Sequence, residues 1–293
     1  MTKDIPYITY NPATTDNFGF EIVPIAEIAK SKNEHEHNPE LPHQLKFYTL
    51  IFFLQGTGRH FIDFNWYPVQ QNSLVYLTKD QINAFEFSEE LKGYCILFTE
   101  EYFVNSFSNL TDNFVFRLFN PELFSPILQI PQNSDFLTFF KLLLKEYENS
   151  HSFNHKIIIN SLFTILISKA EHLKQNLTFH ISNSSKVILY QNFISLIEKN
   201  LPISRSANFY AEKLAITYKH LNSICKELMN KTAKNVIDDF IILQEKRDLV
   251  NSATSSSQLA YKLGFEDPTN FTKYFKKNTG LTPKSFIKSL SKH

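Results

Sequence analysis

Between Thr254 and Ile287 the chain reads TSSSQLAYKLGFEDPTNFTKYFKKNTGLTPKSFI, and its helix start and stop signals leave few folds open. A first helix over Ser257–Leu263 ends at Gly264, a residue that accepts the left-handed conformation closing many helices. Asp267 supplies an N-cap for a second helix, and Pro268 occupies its first turn, where a missing N–H is no loss. Phe271, Tyr274 and Phe275 recur at i, i+3 and i+4, which gives that helix a buried stripe. Gly280 stops it, and Thr282 with Pro283 starts a third. The solvent face of the middle helix carries Thr269, Asn270, Lys273, Lys276 and Lys277, with no acid after Asp267. A helix, a tight turn and a second helix with a basic polar face predict a helix-turn-helix, which sets its second helix in the DNA major groove.

The same unit occurs earlier. Thr217–Ile237, TYKHLNSICKELMNKTAKNVI, lies on Asp267–Ile287 at a constant offset of 50. Thr217 falls on the Asp267 cap, and Leu221, Ile224 and Cys225 fall on Phe271, Tyr274 and Phe275. Asn230 falls on Gly280, and Asn is the next best residue for a left-handed helix end. Lys226, Thr232, Lys234 and Ile237 recur identically as Lys276, Thr282, Lys284 and Ile287. The preceding helices align at an offset of 49, with Ala211 and Leu214 on Ala260 and Leu263. Between the units, Asn235–Ser252 predicts one helix of 18 residues. At 1.5 Å per residue it is about 27 Å long. That approaches the roughly 34 Å of one B-DNA turn, so the spacer suits two recognition helices in successive major grooves.

Charge divides the chain in the same place. From Lys186 onward 17 Lys/Arg stand against 9 Asp/Glu, a net of +8, while the preceding residues carry −7. A basic segment of 108 residues suits a polyanionic partner, since each phosphate contact releases counterions. The acidic half is expected to face away from DNA. No apolar run approaches the ~20 residues of a membrane span, and the start, MTKDIPYITY, has no signal-peptide core. Cys95 and Cys225 are far apart, fit a reducing cytosol and lie on apolar stripes as expected core residues.

These residues resemble the AraC/XylS transcription regulators. Ala260, Gly264, Phe265, Phe271, Phe275, Lys276, Gly280, Thr282, Pro283 and Phe286 stand where that family has its characteristic residues, across 27 positions. YAEKLAITYKHLNSICKE is similar to the family's first unit, with Asn230 in place of the usual Gly. The resemblance covers residues 186–293 and implies a cytoplasmic, sequence-specific regulator with a C-terminal all-α double helix-turn-helix, its units at about 206–230 and 255–280.

The first half reads as strands. Phe47–Leu54 is β-branched and aromatic and meets the turn Gln55-Gly56-Thr57-Gly58, followed by His60–Phe64, Leu74–Thr78, Ile82–Phe87 and Tyr94–Thr99. Short strands at this spacing predict a sandwich or small barrel. The order of strand, Gly-x-Gly turn, strand and LVYLTKDQINAFEF resembles the cupin-like β-barrel sensor domain of many AraC-type regulators, here residues 1–133. Metal-binding cupins use clustered histidines with a carboxylate. His43 stands near the first such position, but Asn83 occupies the last, and His35 and His37 read as a solvated loop, so no metal and no cofactor is expected. Residues 134–175 change to helical period. Phe136, Phe139, Phe140, Leu143, Leu144 and Tyr147 share one face, and Ile157, Leu162, Ile165, Leu166 and Leu173 belong to a second helix. In the family such helices often join a dimer. Packing against the barrel is the other role open to them. Residues 176–185 read as an interdomain linker.

The whole is an α+β multidomain chain, with no catalytic residues expected. Exposure near the start of each recognition helix assigns base contacts to Lys219, Asn222, Ser223, Thr269, Asn270 and Lys273, since Lys and Asn read guanine and adenine edges. Lys226, Lys276, Lys277 and Lys284 are placed to clamp phosphates. Expected partners are double-stranded DNA and a second copy of the chain, with a small apolar or aromatic effector and RNA polymerase as further candidates. Two other readings stay open: a constitutive DNA-binding dimer without a ligand, and a cupin-type enzyme with an appended helical domain.

Overall fold

The computed structural model describes residues 5–11, 18–30, 38–107, 125–149, 154–177, 185–201, 203–250 and 256–290. Pro6–His180 forms one compact unit and Ile181–His293 forms the main part of a second.

The first unit contains β1 (Tyr7–Ile8), β2 (Phe20–Pro24), α1 (Ile25–Lys30), β3 (His43–Leu45), β4 (Tyr48–Gln55), β5 (Thr57–Ile62) and β6 (Asn65–Gln70). It continues with β7 (Ser73–Leu77), β8 (Ile82–Phe85), β9 (Lys92–Phe98), α2 (Glu100–Phe107), β10 (Ile127–Gln129), α3 (Phe136–Glu148) and α4 (His155–Leu177). The sandwich-or-barrel expectation resolves as two five-stranded sheets, ordered β1-β3-β8-β5-β6 and β10-β7-β4-β9-β2. All pairings are antiparallel except β1 with β3.

The run LIFF in β4 is apolar on both sides because β4 is the central strand of its sheet and both of its faces are covered. Ile51 and Phe53 join Leu45, Ile62, Val75, Leu77 and Phe85 in the core shared by the two sheets. Leu50 and Phe52 point the other way, into a core shared with α3 and α4. Gly56 carries the chain from β4 in one sheet to β5 in the other with φ +87°, and a Cβ there would lie 2.4 Å from the Glu90 carbonyl oxygen. β6, missed by the strand spacing because it contains Pro68, is an edge strand, where proline is tolerated.

The helices after the sheets cover the second of them. Phe136, Phe140 and Leu143 of α3, with Ile159, Phe163, Leu166, Ile167 and Ala170 of α4, pack on Leu74, Tyr76, Ile96 and Phe98. Phe52 meets the Phe140 ring edge-on at 4.9 Å, and Phe98 meets Phe163 at 5.2 Å. Each such ring buried contributes about 1.5–3 kcal/mol. Of the two roles open to α3 and α4, this packing engages their most apolar faces. Ile157, Ile158 and Ile165 remain exposed outside it.

The second unit is helical: α5 (Ser185–Asn200), α6 (Ala207–Lys213), α7 (Tyr218–Met229), α8 (Ala233–Val250), α9 (Ser256–Lys262), α10 (Pro268–Thr279) and α11 (Pro283–Leu290). α8 has the 18 residues expected of the spacer, begun two residues earlier than read from sequence. α5 packs on α6 and α7, with Phe193 edge-on to Tyr210 at 5.7 Å.

Candidate nucleic-acid interface

Two helix pairs, α6–α7 and α9–α10, have the same backbone logic. In the first, Ala215 adopts φ 54° and the Ile216 N–H donates to the Ala211 carbonyl. In the second, 49 residues on, Gly264 adopts φ 74° and the Phe265 N–H donates to the Ala260 carbonyl. Both recognition helices are capped as their sequences require. The Thr217 hydroxyl accepts from the His220 N–H at 3.2 Å, and the Asp267 carboxylate accepts from the Thr269 N–H at 2.6 Å. That bond holds the Asp267 carboxyl below its usual range, with Lys273 adding to the effect. Asn230 and Gly280 close the two helices in left-handed geometry, at φ 53° and 77°.

On α7, Lys219, Ser223 and Lys226 are exposed along one face. On α10, Thr269, Asn270, Lys273, Lys276 and Lys277 are exposed, as is Lys284 on α11. Four lysines elsewhere in the unit are tied to carboxylates: Lys186 to Glu227, Lys231 to Asp239, Lys234 to Asp238 and Lys262 to Asp248. Among the described residues, Lys219, Lys226, Lys273, Lys276, Lys277 and Lys284 have no such salt bridge. They lie on the two recognition helices and the start of α11.

Asn222 differs from the other five expected base-contact residues. It is half-buried, and its Oδ1 accepts the Ala233 N–H at 3.0 Å, capping the first turn of α8. A bidentate adenine contact needs that oxygen, so in this arrangement Asn222 serves the fold. The second unit shows why. Thr272 replaces Asn222, Pro283 replaces Ala233 and has no N–H, and the Thr272 hydroxyl turns back to the Pro268 carbonyl at 3.0 Å.

The spacer helix is tied to the second pair by polar contacts that sequence reading missed. The Tyr274 hydroxyl donates to Asp238 at 2.7 Å, and burial, with that bond adding, pushes the Tyr274 pKa upward. Arg205, preceding α6, stacks on the Phe265 ring at 3.9 Å and donates to the Gly264 carbonyl. Glu245 of α8 is fully buried with neither carboxylate oxygen hydrogen-bonded. Burial pushes its pKa up to about 8, against the pull of Arg205 and with Asp238 and Asp248 adding to the rise.

The helix-turn-helix domain model matches residues 210–289, and the AraC-like ligand binding domain model matches residues 24–163. The chain is 32% identical over 124 residues to an uncharacterised HTH-type transcriptional regulator from the cgkA 5′ region of Pseudoalteromonas carrageenovora, covering 42% of this chain and 68% of that one. The chain belongs to the AraC-type transcription regulators. It joins an N-terminal ligand-binding domain to a C-terminal helix-turn-helix DNA-binding domain, and family membership places it among regulators rather than enzymes. Among solved structures it is similar to Vibrio cholerae ToxT bound to an unsaturated fatty acid, at 14% identity, 94% and 96% coverage of the two chains and TM-score 0.47. It is also similar to an AraC-type regulator from Chromobacterium violaceum, at 16% identity, 37% and 97% coverage and TM-score 0.34. No helix among the described residues is long and apolar enough to cross a membrane.

The ligand-binding unit holds polar groups in its core. His43 and Asn83 are cross-strand partners, and Asn83 also pairs with Ile62. His60 precedes Ile62 by two and pairs with Phe85, so all three polar side chains share the inward face of one sheet. Thr49 faces them from the other sheet, two residues before Ile51. All four are at least 97% buried. The His43 Nδ1 bonds to the Leu41 carbonyl at 2.9 Å. Thr49 Oγ1, both ring nitrogens of His60 and Asn83 Oδ1 have no partner. A buried polar atom left unpaired costs about 1–3 kcal/mol. Four of them approach the ~5–15 kcal/mol that stabilises a typical domain. Burial, with His43 adding, lowers the His60 pKa to about 3, so the ring is neutral. His60 escaped the sequence reading, though its alternation with Ile62 marked it as inward. His35 and His37 lie outside the described residues, and among those described no three His, Cys, Asp or Glu side chains gather as a metal site.

Proposed function

We propose that this regulator is a cytoplasmic homodimer that reads double-stranded DNA with α7 and α10 in successive major grooves. Lys219, Ser223, Thr269, Asn270 and Lys273 contact bases, and Lys226, Lys276, Lys277 and Lys284 clamp phosphates. The observation that carries this reading is the set of six exposed lysines without salt bridges on α7, α10 and α11, while Lys186, Lys231, Lys234 and Lys262 elsewhere in the unit are ion-paired. α8 supports it: 18 residues span about 27 Å, close to a B-DNA turn of about 34 Å. Residues 1–133 act as sensor, 134–175 as dimer helices, 176–185 as linker and 186–293 as the DNA reader. A small effector and RNA polymerase are the remaining partners. For an effector to regulate, it must favour one state of the protein, and a tenfold change in DNA affinity needs about 1.4 kcal/mol of coupling.

The test is a salt titration of DNA affinity, with a duplex selected from a random pool and an unrelated duplex. Lys276→Ala with Lys277→Ala is expected to weaken binding to both duplexes and to lower the salt slope by about two. Lys273→Ala is expected to cost about 1–3 kcal/mol on the selected duplex alone. Equal losses on both duplexes for both variants would refute the division between phosphate and base contacts.

A further inference from the structure

We infer that the core between the two sheets binds an uncharged, largely apolar small molecule by one hydrogen-bonding end, through Thr49, His60 and Asn83. This rests on the ligand-sensing reading of the first unit and specifies its site and ligand chemistry.

Gln44, Gln81 and Ser73, also buried on or beside these strands, are satisfied within the fold. The Gln44 amide donates to the Asp80 carbonyl at 3.0 Å, and Gln81 both donates to Asp63 and accepts from the Thr78 N–H. Ser73 accepts from the Gln70 N–H and donates to Gln129. The inward set is different: four atoms on three residues from β4, β5 and β8 face one core without partners. The register brings them to one end of the sandwich. Thr49 lies opposite Leu77, β7 ends there, and a short turn leads to Ile82 and then Asn83.

The donor set defines the ligand. A neutral His60 offers one N–H and one lone pair, the Thr49 hydroxyl can donate or accept, and the Asn83 oxygen accepts. No Asp, Glu, Lys or Arg is buried on any described strand, so a carboxylate or phosphate would meet no counter-charge. Ile51, Ile62, Leu77 and Phe85 surround the polar group, so a molecule polar all round would leave its own groups unpaired. An apolar body with one hydroxyl or amide meets both conditions.

Benzyl alcohol, benzoate and toluene share a ring and differ only at that end. With the full-length protein, benzyl alcohol at tenfold excess over its Kd is expected to raise the Tm of the sheet unit by about 3–6 °C. In protein labelled with 15N-histidine it is expected to move the His60 ring resonances. Toluene should give less than half the thermal shift, and benzoate none. Asn83→Leu with His60→Leu should abolish the benzyl alcohol shift. Thr49→Val, a smaller change, should at least halve it if the double variant fails to fold. The inference is overturned if benzyl alcohol neither shifts Tm nor moves His60, if benzoate matches it, or if the variants respond like wild type. DNA affinity is measured in the same samples without probe. Silent probes with intact DNA binding would overturn this site alone, whereas absent DNA binding would overturn the regulatory reading.

Discussion

Glu245→Gln is the substitution whose effect the structure determines most directly. The Glu245 carboxyl is fully buried and both oxygens lack partners, and its pKa stands at about 8 against an ordinary 4.5. Between these values the folded state keeps a proton that the unfolded state has released. The unfolded state therefore binds fewer protons, and stability falls as pH rises. The penalty is absent below pH ~4.5 and grows through neutrality until it is complete above pH ~8. At roughly 1.4 kcal/mol per pH unit it reaches about 3 kcal/mol at pH 7 and about 4 kcal/mol at pH 8. Gln keeps the shape and has no proton to lose. Urea denaturation of both full-length proteins at pH 5, 6, 7 and 8, followed by circular dichroism at 222 nm, reads the difference. The variant is expected to gain on wild type by about 3–4 kcal/mol from pH 5 to 8. Trp66, the sole tryptophan, sits on β6 in the other unit, so its fluorescence should titrate identically in both proteins. The same pH slope at 222 nm in wild type and variant would refute the reasoning.

Asn222→Ala removes the cap on the Ala233 N–H and is expected to cost about 0.5–2 kcal/mol of stability, weakening binding to all duplexes alike. Thr272→Ala should cost much less, since Pro283 has no N–H to lose; equal thermal shifts for the two variants would contradict the assignment. Sedimentation of the full-length chain is expected to give twice 34.2 kDa, and Ile157→Glu with Ile158→Glu should halve it. A monomer with undiminished affinity for the selected duplex would remove the dimer from the proposal.

Local chemistry made the helical unit legible from sequence. Caps at Thr217 and Asp267 and left-handed ends at Asn230 and Gly280 act within a few residues of themselves, so their meaning survives without tertiary contacts. The repeat at an offset of 50 then identified the architecture and both recognition helices. Strand composition and spacing likewise located β4, β7, β8 and β9, while Pro68 concealed β6 because its tolerance depends on an edge position that only the assembled sheet defines. What the sequence could not decide depends on partners distant along the chain. Asn222 looked like a base-reading residue until Ala233, one helix later, took its oxygen. Glu245 carries no local signal of its burial, which only the packed helices impose. His60 and Asn83 gained significance only when β5 and β8 aligned them inward beside His43, facing Thr49 from the second sheet. Exposure, desolvation and the satisfaction of a polar atom are properties of the surroundings, and for these residues tertiary folding brings the surroundings together.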